Sequence, residues 1–493
     1  MSLTFEDFLQ YRNDYQLVPV SCEILSDCRT PIQVLRILKG VSHHCYVLES
    51  VERQESLGRY TFLGYDPKLE ISCINHELTI RNGKTVQKTV AHPKEEIKKI
   101  LAAHRSPKIP TLPPFTGGLV GYFSYDYTKY SEPTLNLDAR DVEGFKDIDV
   151  MLFDKVIVFD HYRQKILLIA NASTVAETEE GLRKNYENAL AELDEMKKLI
   201  TNGKEKIEPS GKVTSPFRPL FEKEAFCEMV RKAKEYIYEG DIFQVVLSNR
   251  LEADYEGSLL NTYRLLRTIN PSPYMFYFCS DDMEVAGASP ETLIKVKDNV
   301  LHTFPLAGTR PRGKDAATDQ ALEEELLQDE KELAEHNMLV DLGRNDIGKV
   351  SKFGSVFVEK YQSIERFSHV MHIGSTVQGT LDDSHDAMDA MDAILPAGTL
   401  SGAPKLRAME IINELENNKR GIYGGAIGYL DFTGNLDTCI AIRLAFKKNG
   451  KVFVRSGAGI VADSVPETEY TECINKAKAV MEAVEHSETE VSS

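Results

Sequence analysis

The sequence predicts an α+β fold with large antiparallel sheets, and three observations lead to this prediction. Segments in which apolar and polar residues alternate, as in strands, recur along the whole chain. The tetrapeptide from Arg81 to Lys84, with Asn-Gly at its centre, is a hairpin signal. After position 221, predicted helices and strands follow one another in irregular order. A doubly wound parallel sheet requires strict β-α-β alternation, so mixed α+β with antiparallel sheets fits better.

Length and composition are those of a large globular protein. The chain has 493 residues, 42% hydrophobic and 27% charged, which is enough for two or three domains or one large composite domain. The net charge of −18, with no local basic cluster, argues against a nucleic-acid surface. No segment approaches the roughly 18 apolar residues of a membrane span.

Cysteine usage and the first residues predict a cytoplasmic location. The eight cysteines are scattered without a Cys-x-x-Cys pair, so we expect reduced core thiols rather than a disulfide framework or a zinc site. No cysteine lies in the G-x-C-x-G turn of a glutaminase nucleophile. The beginning of the chain, MSLTFEDFLQ, lacks the apolar segment of a signal peptide.

The first part of the chain is predicted to be rich in strands. A short helix, TPIQVLRILKG, ends at Gly40, and two strands follow it, HHCYVLESV and GRYTFLGYDP. Further along we expect a helix over 94–104, a glycine-rich bend with a strand over 113–126, a hairpin over 143–171 and a charged amphipathic helix over 175–200.

The polar segment 201–217, which carries glycine and proline, is the clearest linker. We therefore divide the chain into an N-terminal domain over 1–205, a second domain over 218–485 and an acidic tail over 486–493. In the second domain, helices are predicted over 221–241, 318–342, 384–393, 403–417 and 465–485. Strands are predicted over 242–255, 275–286, 291–297, 300–306, 422–431, 437–447 and 451–456.

Two of these helices carry a Glu-x-x-Glu pair beside an apolar stripe. In the helix over 318–342, a 3.6-residue period places one acidic arc, with Asp329, Glu332, Glu335 and His336, next to the stripe of Leu322, Leu326, Leu333 and Val340. In the last helix, Glu469 borders the stripe of Cys473, Ala477, Val480 and Val484, and Glu472 lies one step outside it.

Carboxylates beside a buried face are costly unless a cation lies there. Mg²⁺ prefers oxygen ligands, keeps several waters and often bridges to an anionic substrate. The two glutamate pairs together therefore predict a Mg²⁺ site, whereas for a single pair a solvated acidic face is the simpler interpretation.

Other polar residues in apolar surroundings each have a structural alternative. Gln244 follows a helix at the start of a strand, where a structural or surface amide is common. Glu291 follows Pro290 and could be a general acid with a raised pKa, or a turn-capping glutamate. His369 and His372 point to opposite faces of a strand, so at most one of them faces a site, and a satisfied core histidine is the alternative.

Three segments offer groups that could bind an anion. The turn FPLAGTRPRG, over 304–313, presents Gly308 and Thr309 as donors to a carboxylate. The Gly457-Ala458-Gly459 segment lacks the context of a phosphate-binding loop, but its N–H groups could form an anion-binding nest. Arg443, on an otherwise apolar strand, needs a partner, and a bidentate carboxylate is the natural one. The residues indicate a Mg²⁺-dependent enzyme for a small polyanionic carboxylate, without specifying its reaction.

Taken together, these segments resemble the chorismate-utilising enzymes, and most closely the anthranilate synthase component I family. The matching motifs are QVVLS, SPE, PLAGT, ELAEH with MLVDLGRND, FSHVMH, LPAGTLSGAPK, RGIYGGAIGY, RSGAGIV and ETEYTECINKA, with VLES and GRYTFLG in the first part of the chain. The resemblance implies a sandwich of large mixed or antiparallel sheets with flanking helices. It also implies Mg²⁺-dependent conversion of chorismate and ammonia to anthranilate and pyruvate, through aminodeoxyisochorismate, as the first committed step of tryptophan biosynthesis.

The resemblance further implies roles for individual residues. Glu335 and Glu472 match the Mg²⁺ ligands, supported by Glu332 and Glu469. Glu291 matches the general acid for the C4 hydroxyl, and His372 the histidine associated with pyruvate loss. The implied catalytic set is completed by Gln244 and Thr399, and the implied chorismate contacts are Gly308, Thr309, Tyr423, Arg443, Gly457, Ala458 and Gly459.

Three positions separate this chain from relatives with other reactions, and one of them, His372, is consistent with carrying elimination through to the aromatic product. Water-adding isochorismate and salicylate synthases carry a lysine at the position of Gln244, and many aminodeoxychorismate synthases carry a nucleophilic lysine at the position of Ala307. An amide cannot deprotonate water and a methyl group cannot form a covalent adduct, so the resemblance favours amination at C2. Aminodeoxychorismate synthase component I and a catalytically silent scaffold remain the alternatives.

A regulatory site and a partner are also implied. The inhibitor-binding residues expected for L-tryptophan lie in VLES and in NPSPYMFY, and are Glu49, Ser50, Asn270, Pro271, Ser272, Pro273, Tyr274 and Met275. Two prolines limit the ordering cost of the second segment, although an extended turn feeding a strand is the alternative. The expected partner is a glutamine amidotransferase subunit that supplies ammonia, in a heterotetramer with two copies of each chain.

Overall fold

The computed structural model describes residues 3–50, 58–366 and 370–488, and His369 therefore lies outside the described residues. Two large antiparallel sheets stack face to face, and helices cover both outer sides, which confirms the predicted α+β sandwich. Among the described residues, no helix has the length and apolarity needed to cross a bilayer.

The helices of the described chain are α1 (Phe5–Leu9), α2 (Pro31–Val41), α3 (Pro93–Ala102), α4 (Glu179–Asn202), α5 (Lys223–Glu239), α6 (Leu260–Ile269), α7 (Ala316–Gln328), α8 (Glu330–Gly348), α9 (Ala387–Ile394), α10 (Lys405–Glu416) and α11 (Pro466–Glu485). Short 3₁₀ turns cover Tyr125–Tyr130, Gly398–Leu400 and His486–Glu488.

The strands are β1 (Leu17–Leu25), β2 (Cys45–Glu49), β3 (Tyr60–Tyr65), β4 (Leu69–Ile74), β5 (Glu77–Asn82), β6 (Lys84–Thr89), β7 (Gly118–Phe123), β8 (Ile148–Phe153), β9 (Lys155–Asp160), β10 (Lys165–Ser173), β11 (Lys212–Val213), β12 (Arg218–Pro219), β13 (Gln244–Glu256), β14 (Tyr274–Cys279), β15 (Met283–Ser289), β16 (Thr292–Lys297), β17 (Val300–Thr303), β18 (Leu306–Pro311), β19 (Phe357–Arg366), β20 (Val370–Thr380), β21 (Gly402–Ala403), β22 (Ala426–Asp431), β23 (Leu436–Ile440), β24 (Leu444–Lys448) and β25 (Lys451–Ile460).

Both sheets combine strands from the two sides of the predicted linker. Counted over the described residues, the first sheet has 13 strands, with the order β1-β10-β9-β3-β2-β14-β15-β24-β25-β13-β11, and β12 and β21 also pair with β13. The second has 12, with the order β18-β20-β17-β16-β23-β22-β7-β8-β4-β5-β6, and β19 pairs with β20. The pairs β2–β14 and β22–β7 join the N-terminal and C-terminal parts directly. The division at 201–217 stays a prediction.

Three apolar layers hold this arrangement together. Between the sheets, Tyr46 packs edge-on against Phe153 with ring centres 4.7 Å apart, and Tyr122 lies 6.3 Å from Phe278. The outer face of the first sheet packs against α1, α2, α4, α6 and α11. The outer face of the second sheet packs against α3, α8 and α9. Aromatic and aliphatic burial of this extent is the main stabilising contribution.

Several sequence predictions match the elements closely. The hairpin at Arg81–Lys84 is present between β5 and β6, with Gly83 at φ 62°. Helix α5 ends at Gly240, whose left-handed φ of 87° suits glycine. Helix α2 extends one residue past Gly40, to Val41. All eight cysteines are free thiols, and only Cys28 is exposed and Cys22 half-buried.

Other predicted elements are wrong in an instructive way. The single helix over 318–342 is two helices, because the Asp329 carboxylate caps α8 by accepting from the N–H groups of Lys331 and Glu332. The hairpin predicted over 143–171 is confirmed in its second half, where β9 pairs antiparallel with β10, but its first half is a crossover, since β8 belongs to the second sheet and β9 to the first. Residues 148–153 are buried on both faces of their strand, so the apolar pattern does not indicate to which of the two sheets the strand belongs.

The remaining differences concern breaks within strands. The strands predicted over 275–286 and 437–447 are each interrupted, giving β14 and β15, and β23 and β24. Helix α6 was not predicted. The turn predicted over 304–313 is strand β18, with a bulge between Ala307 and Thr309 that places Gly308 at φ 65°.

Candidate active site

The bulge in β18 lets helix α8 approach the strand closely. A Cβ atom on Gly308 would lie 3.3 Å from Glu332 Oε2 and 2.9 Å from a Leu326 methyl group, so glycine is needed for space as well as for its positive φ. Glu332 is half-buried, and its Oε1 lies 3.7 Å from Arg310 Nη1. Arg310 also contacts Glu325 and Asp329, so one cation serves three carboxylates.

One turn further along α8, Glu335 reaches the first sheet. Its Oε1 accepts a hydrogen bond of 3.4 Å from Nε2 of Gln244, the first residue of β13. A Cβ atom on Gly459, in the neighbouring β25, would lie 2.7 Å from the same Gln244 nitrogen. Gln244 therefore lies between an acidic helix and a strand that must lack a side chain at this point.

Helix α11 carries the second acidic pair. Glu472 is exposed and bound by Lys476 at 2.6 Å, and the Lys476 ammonium also donates to the Gly457 carbonyl at 3.2 Å. Glu469 is half-buried, and the charge of Lys331 on α8 acts on it, which relates the two helices electrostatically. The predicted apolar stripe of α11 is confirmed, since Cys473, Ala477, Val480 and Val484 are buried.

Both pairs contain a carboxyl group with a raised pKa. Burial raises the pKa of Glu332, and the charges of Glu335 and Asp329 raise it further. Burial likewise raises the pKa of Glu469, with Glu472 adding to the effect. Like charges that disfavour ionisation indicate a place where a cation would be stabilising.

The donor set fits Mg²⁺ only in part. Within the described residues, no group of three or more His, Cys, Asp or Glu side chains is close enough to hold a metal by itself. The carboxylates available are oxygen donors, which suits a hard cation that takes one or two protein ligands and completes its shell with water and substrate oxygens. His336, expected on the same arc, is instead fully buried, with Nε2 2.6 Å from Ser375 Oγ.

Arg443 does not lie on a strand, contrary to the sequence prediction. It occupies the break between β23 and β24 at φ 55°, and its Nη1 donates to the Lys476 carbonyl at 2.5 Å. The side chain is half-buried, and desolvation lowers its pKa. Among the described residues no carboxylate binds it, so a carboxylate ligand remains a fitting partner for its guanidinium fork.

His372 contacts the bulge from strand β20. Its Nδ1 lies 2.8 Å from the Gly308 carbonyl, an obligate acceptor, and 3.1 Å from Thr309 Oγ1. Nδ1 therefore carries the proton, and the neutral ring has its lone pair on Nε2. Burial lowers the pKa of His372, and nearby Arg443 lowers it further. The imidazole is neutral near pH 7 and able to accept a proton.

These contacts close into a ring. Each neighbour in the ring is a contact given above or a residue on the same helix or strand, except that Arg443 and His372 are related only by the effect of the Arg443 charge on the imidazole. In order, the ring is Gly308, Glu332, Glu335, Gln244, Gly459, Gly457, Lys476, Arg443, His372 and again Gly308. The structure thus brings together the predicted metal, substrate and histidine positions from both sheets.

Glu291 joins this ring through Thr399. Glu291 lies between β15 and β16, and its Oε1 accepts from Thr399 Oγ1 at 3.1 Å. Thr399 belongs to the 3₁₀ turn Gly398–Leu400, which packs against α8, since a Cβ atom on Gly398 would overlap Leu342. Burial raises the pKa of Glu291 to about 7, although the Thr399 hydrogen bond opposes the shift.

The glycine-rich segment in β25 is not a nest. Gly457, Ala458 and Gly459 pair with β13 as ordinary strand residues, so their N–H groups alternate in direction. The two glycines leave room instead: a Cβ atom on Gly457 would lie 2.9 Å from the hydroxyl of Tyr423. Gly457 therefore brings the backbone of β25 next to a buried phenol.

A buried charge network behind the site was not predicted. Glu416 accepts from Arg420 at 2.6 Å and from Arg455 at 2.7 Å, as well as from the Ser248 N–H at 2.7 Å. Arg420 also donates to the carbonyl of Leu400, at 2.6 Å, which follows Thr399. The network therefore fixes the Thr399 turn against β13 and β25.

Little in the amino-acid sequence indicates these supporting residues. Arg420 precedes the GIYGG motif, but its partners come from distant segments. Lys476, in contrast, follows Glu472 by four residues on α11, and that spacing is the mark of a helical ion pair.

The two segments predicted to bind an amino-acid inhibitor are neighbours. Strands β2 and β14 pair so that Met275 lies opposite Glu49. Glu49 is held by the Tyr263 hydroxyl at 2.5 Å and Arg267 Nε at 2.5 Å. The Ser50 hydroxyl is buried and finds no hydrogen-bond partner within the described residues.

The other members of this predicted set have ordinary structural contacts. Tyr274 points its hydroxyl to Asp437 of the second sheet at 2.8 Å, and Ser272 donates to the Asn270 carbonyl at 3.1 Å. Pro271 and Pro273 lie in the connection from α6 to β14.

Comparison with known proteins gives a consistent result. The family model described as chorismate binding enzyme matches residues 43–482. Anthranilate synthase component 1 of Acetivibrio thermocellus is 46% identical over 490 residues, covering 98% of each chain. The crystal structure of anthranilate synthase component I from Streptococcus pneumoniae superposes with a TM-score of 0.75 at 39% identity, covering 93% of this chain and 98% of that one. The menaquinone-specific isochorismate synthase of Escherichia coli shares the fold, with a TM-score of 0.69 at 19% identity, over 97% and 98% of the chains.

Proposed function

The chain belongs to the chorismate-binding enzymes and, among them, to the anthranilate synthase component 1 family, and on this premise we propose that it is a lyase that converts chorismate and ammonia to anthranilate and pyruvate. The reaction would proceed through aminodeoxyisochorismate and would be the first committed step of tryptophan biosynthesis. Each further role below belongs to the same proposal.

The observation that carries this proposal is the state of Glu291. A carboxyl group with a pKa of about 7 keeps a proton near neutral pH and can deliver it to a leaving group. Thr399 orients the carboxyl by its hydrogen bond of 3.1 Å. Glu291 would protonate the departing C4 hydroxyl as ammonia forms the new bond at C2.

Mg²⁺ is the proposed cofactor, with Glu335 and Glu472 as ligands and Glu332 and Glu469 in support. When bound, it would neutralise a substrate carboxylate and hold it in position. The raised pKa values of Glu332 and Glu469 support this assignment, because burial and the neighbouring carboxylate both disfavour ionisation there, and a cation would offset both effects. Lys476, which binds Glu472 at 2.6 Å, is the group that the cation would displace or share.

Chorismate would be held opposite these carboxylates. Arg443 supplies a guanidinium group without a carboxylate partner within the described residues, and Tyr423 supplies a buried hydroxyl. Gly457, Ala458 and Gly459 allow close approach of the backbone, and Gly308 and Thr309 form the opposite wall. Desolvation of Arg443 strengthens its attraction for a carboxylate.

The chemistry of two side chains favours ammonia over water as the nucleophile. Gln244 has no basic group, and its amide is already engaged with Glu335. Ala307, buried on β18, cannot form a covalent adduct at C2. Ammonia needs no activating base, so this site suits it.

His372 would act in the second half of the reaction. Its neutral ring can take up the C2 proton while the C3–O bond to the enolpyruvyl group breaks, which makes the ring aromatic, and the released enolpyruvate takes a proton to become pyruvate. The lowered pKa of His372 supports this role, because a protonated imidazole could not accept a proton.

Feedback inhibition by L-tryptophan is proposed at Glu49, Ser50 and the segment from Asn270 to Met275. The pairing of β2 with β14 supports it, since it brings the two segments together. The buried hydroxyl of Ser50, which has no hydrogen-bond partner among the described residues, offers a hydrogen bond to a ligand. A glutamine amidotransferase subunit would supply ammonia in a heterotetramer located in the cytoplasm.

One assay tests the core of the proposal. The purified chain is incubated with chorismate, Mg²⁺ and an ammonium salt at alkaline pH, with and without tryptophan, and anthranilate fluorescence is followed. A fluorescent product that tryptophan suppresses supports the reaction and its regulation. Chorismate loss with a non-fluorescent amino product would favour aminodeoxychorismate synthesis, and no turnover would favour a scaffold.

A further inference from the structure

A cleft between α2 and α6, on the outer side of the first sheet, is lined by arginine side chains that the active site does not use. Its walls are formed by Thr30, Pro31, Ile32, Gln33, Arg36, Arg264 and Arg267. None of these residues belongs to the proposed chorismate, metal or tryptophan contacts.

Arg264 is the unusual member of this group. It is half-buried, and within the described residues its side chain donates only to Asn261 Oδ1, at 3.1 Å, with no carboxylate in contact. Burial lowers its pKa, and the charges of Arg36 and Arg267 lower it further. Three guanidinium groups therefore line one cleft, and their mutual repulsion is unfavourable unless an anion lies among them.

The acidic neighbours balance only part of this charge. Arg36 lies 3.4 Å from Glu205, and Arg267 lies 2.5 Å from Glu49. Within the part of the chain that the structure describes, three cations thus have two carboxylates, in a protein whose net charge is −18. A local positive excess in so acidic a chain indicates a specific role for the cleft rather than general surface charge.

The beginning of α2 adds to the positive potential. Thr30 caps this 11-residue helix, and the N-terminal end of the helix dipole lies at the cleft wall. Arginine forks bind phosphate and carboxylate oxygens with two parallel hydrogen bonds.

We propose that this cleft binds a small oxyanion of the phosphate or carboxylate class, held by Arg36, Arg264 and Arg267. The cleft is open to solvent and lined by seven residues, which suits a small ion rather than the flat surface of a protein.

The position of the cleft predicts an effect on inhibition, and this part rests on the proposed function. Helix α2 leads into β2, which carries Glu49, and α6 leads into the segment 270–273. An anion would compete with Glu49 for Arg267, leaving the carboxylate available for the ammonium group of tryptophan. The anion would therefore tighten tryptophan binding, and tryptophan would tighten anion binding to the same degree.

Inorganic phosphate is the probe for the binding site itself. Isothermal titration of the full chain without tryptophan, at constant ionic strength set with chloride, should show saturable binding. Arg264→Gln should weaken it by roughly tenfold or more, as expected for the loss of a charged hydrogen-bond donor. Arg36→Gln provides a second variant, and circular dichroism checks that each variant is folded.

The matched control is Arg231→Gln, which removes one arginine of α5 that pairs with exposed Glu228. Phosphate binding that survives in this control but weakens in both cleft variants supports the proposal. Absence of saturable binding in the unmodified chain, or equal affinity in all variants, would overturn it.

Tryptophan titrations then test the coupling. The half-inhibitory tryptophan concentration should fall severalfold when phosphate is present, in the unmodified chain and in Arg231→Gln but not in Arg264→Gln. An unchanged or higher value would refute the coupling. If tryptophan never inhibits, the proposed regulation fails, whereas the phosphate titration still decides whether the cleft is an anion site.

Discussion

Two groups of charged side chains lie within the C-terminal part of the chain, and they differ in how fully their charges are balanced. In the network behind the site, the Glu416 carboxylate binds both Arg420 and Arg455, and the remaining donors of Arg420 reach backbone carbonyls. At the site, Glu332 and Glu335 share α8 as like charges, and Arg310 is divided among three carboxylates.

The difference indicates which charged side chains stabilise the fold and which are available to bind a ligand. Burial of Glu416 is compensated in full, and its pKa is lowered, so it remains ionised. Burial of Glu332, Glu469 and Glu291 is not compensated, and the pKa of each is raised. A network in which buried charges are paired stabilises one arrangement of strands. Buried carboxylates without a counter-charge bind a cation or a proton favourably instead.

The largest effect that would test this comparison is expected at Glu291. Glu291→Gln removes the transferable proton, and anthranilate formation should fall by roughly 10²–10⁴-fold, the usual range for a general acid. In the unmodified enzyme, kcat/KM at constant free ammonia should decline as pH rises through the Glu291 pKa of about 7. Retained activity in Glu291→Gln would assign the proton transfer elsewhere.

The same substitution should stabilise the fold at alkaline pH. The pKa of Glu291 rises from 4.5 to about 7 on folding, so the native state binds more protons and loses stability as pH rises across this window. Glu291→Gln does not incur this loss. Its free energy of unfolding at pH 8 should exceed that of the unmodified chain by up to about 3 kcal/mol, with no gain below pH 4.5.

Breaking the balanced network should have the opposite effect on stability. Glu416→Gln leaves two buried guanidinium groups without a counter-charge, and we expect a loss of about 3–5 kcal/mol. Urea unfolding measures it. The control is Glu414→Gln on the exposed face of α10, where the partner is Tyr236 and the change should stay within about 0.5 kcal/mol. Equal losses of unfolding free energy in both variants would show that the Glu416 network contributes no more to stability than the exposed Glu414 does.

The metal ligands provide the next test. Glu335→Gln and Glu472→Gln should each lower Mg²⁺-dependent turnover by about 100-fold or more, with little change in unfolding free energy. Glu330→Gln, an exposed glutamate at the start of α8, serves as control. Unchanged turnover at saturating Mg²⁺ in the first two variants would contradict their role as ligands.

The smallest effect on catalysis is expected at Ser50. Its hydroxyl is buried without a hydrogen-bond partner in the described part of the chain, so like the uncompensated carboxylates it is available to a ligand. Ser50→Phe should occupy the space of the inhibitor and abolish tryptophan inhibition while turnover without tryptophan persists. Dose–response curves measure this, and an unchanged half-inhibitory concentration would place the effector site elsewhere.

The sequence predicted those parts of the fold that depend on local pattern. Helical periodicity placed α5 and α11, and Asn-Gly placed the β5–β6 hairpin. The helix break at Asp329 was missed because aspartate is tolerated within a helix and also caps one. The crossover from β8 to β9 was missed because both strands are buried on both faces.

Prediction of the candidate site depended on resemblance for the individual roles and on the structure for the contacts. The Glu-x-x-Glu spacing in α8 and α11 was visible in the sequence, but the proximity of Gln244 to Glu335 was not. The ion pairs of Glu416 with Arg420 and Arg455 were not visible in the sequence either, because side chains that meet through tertiary packing leave no periodic signal.

The sharing of both sheets between the two parts of the chain has a consequence for biosynthesis. Strand β2 can pair with β14 only after some 225 more residues have been translated, and the pairing of β7 with β22 requires a longer segment still. Until then, nascent chains on the ribosome expose unpaired strand edges that can associate with one another. Folding is therefore completed only late in translation, and protection of these edges by chaperones should determine the yield of native protein.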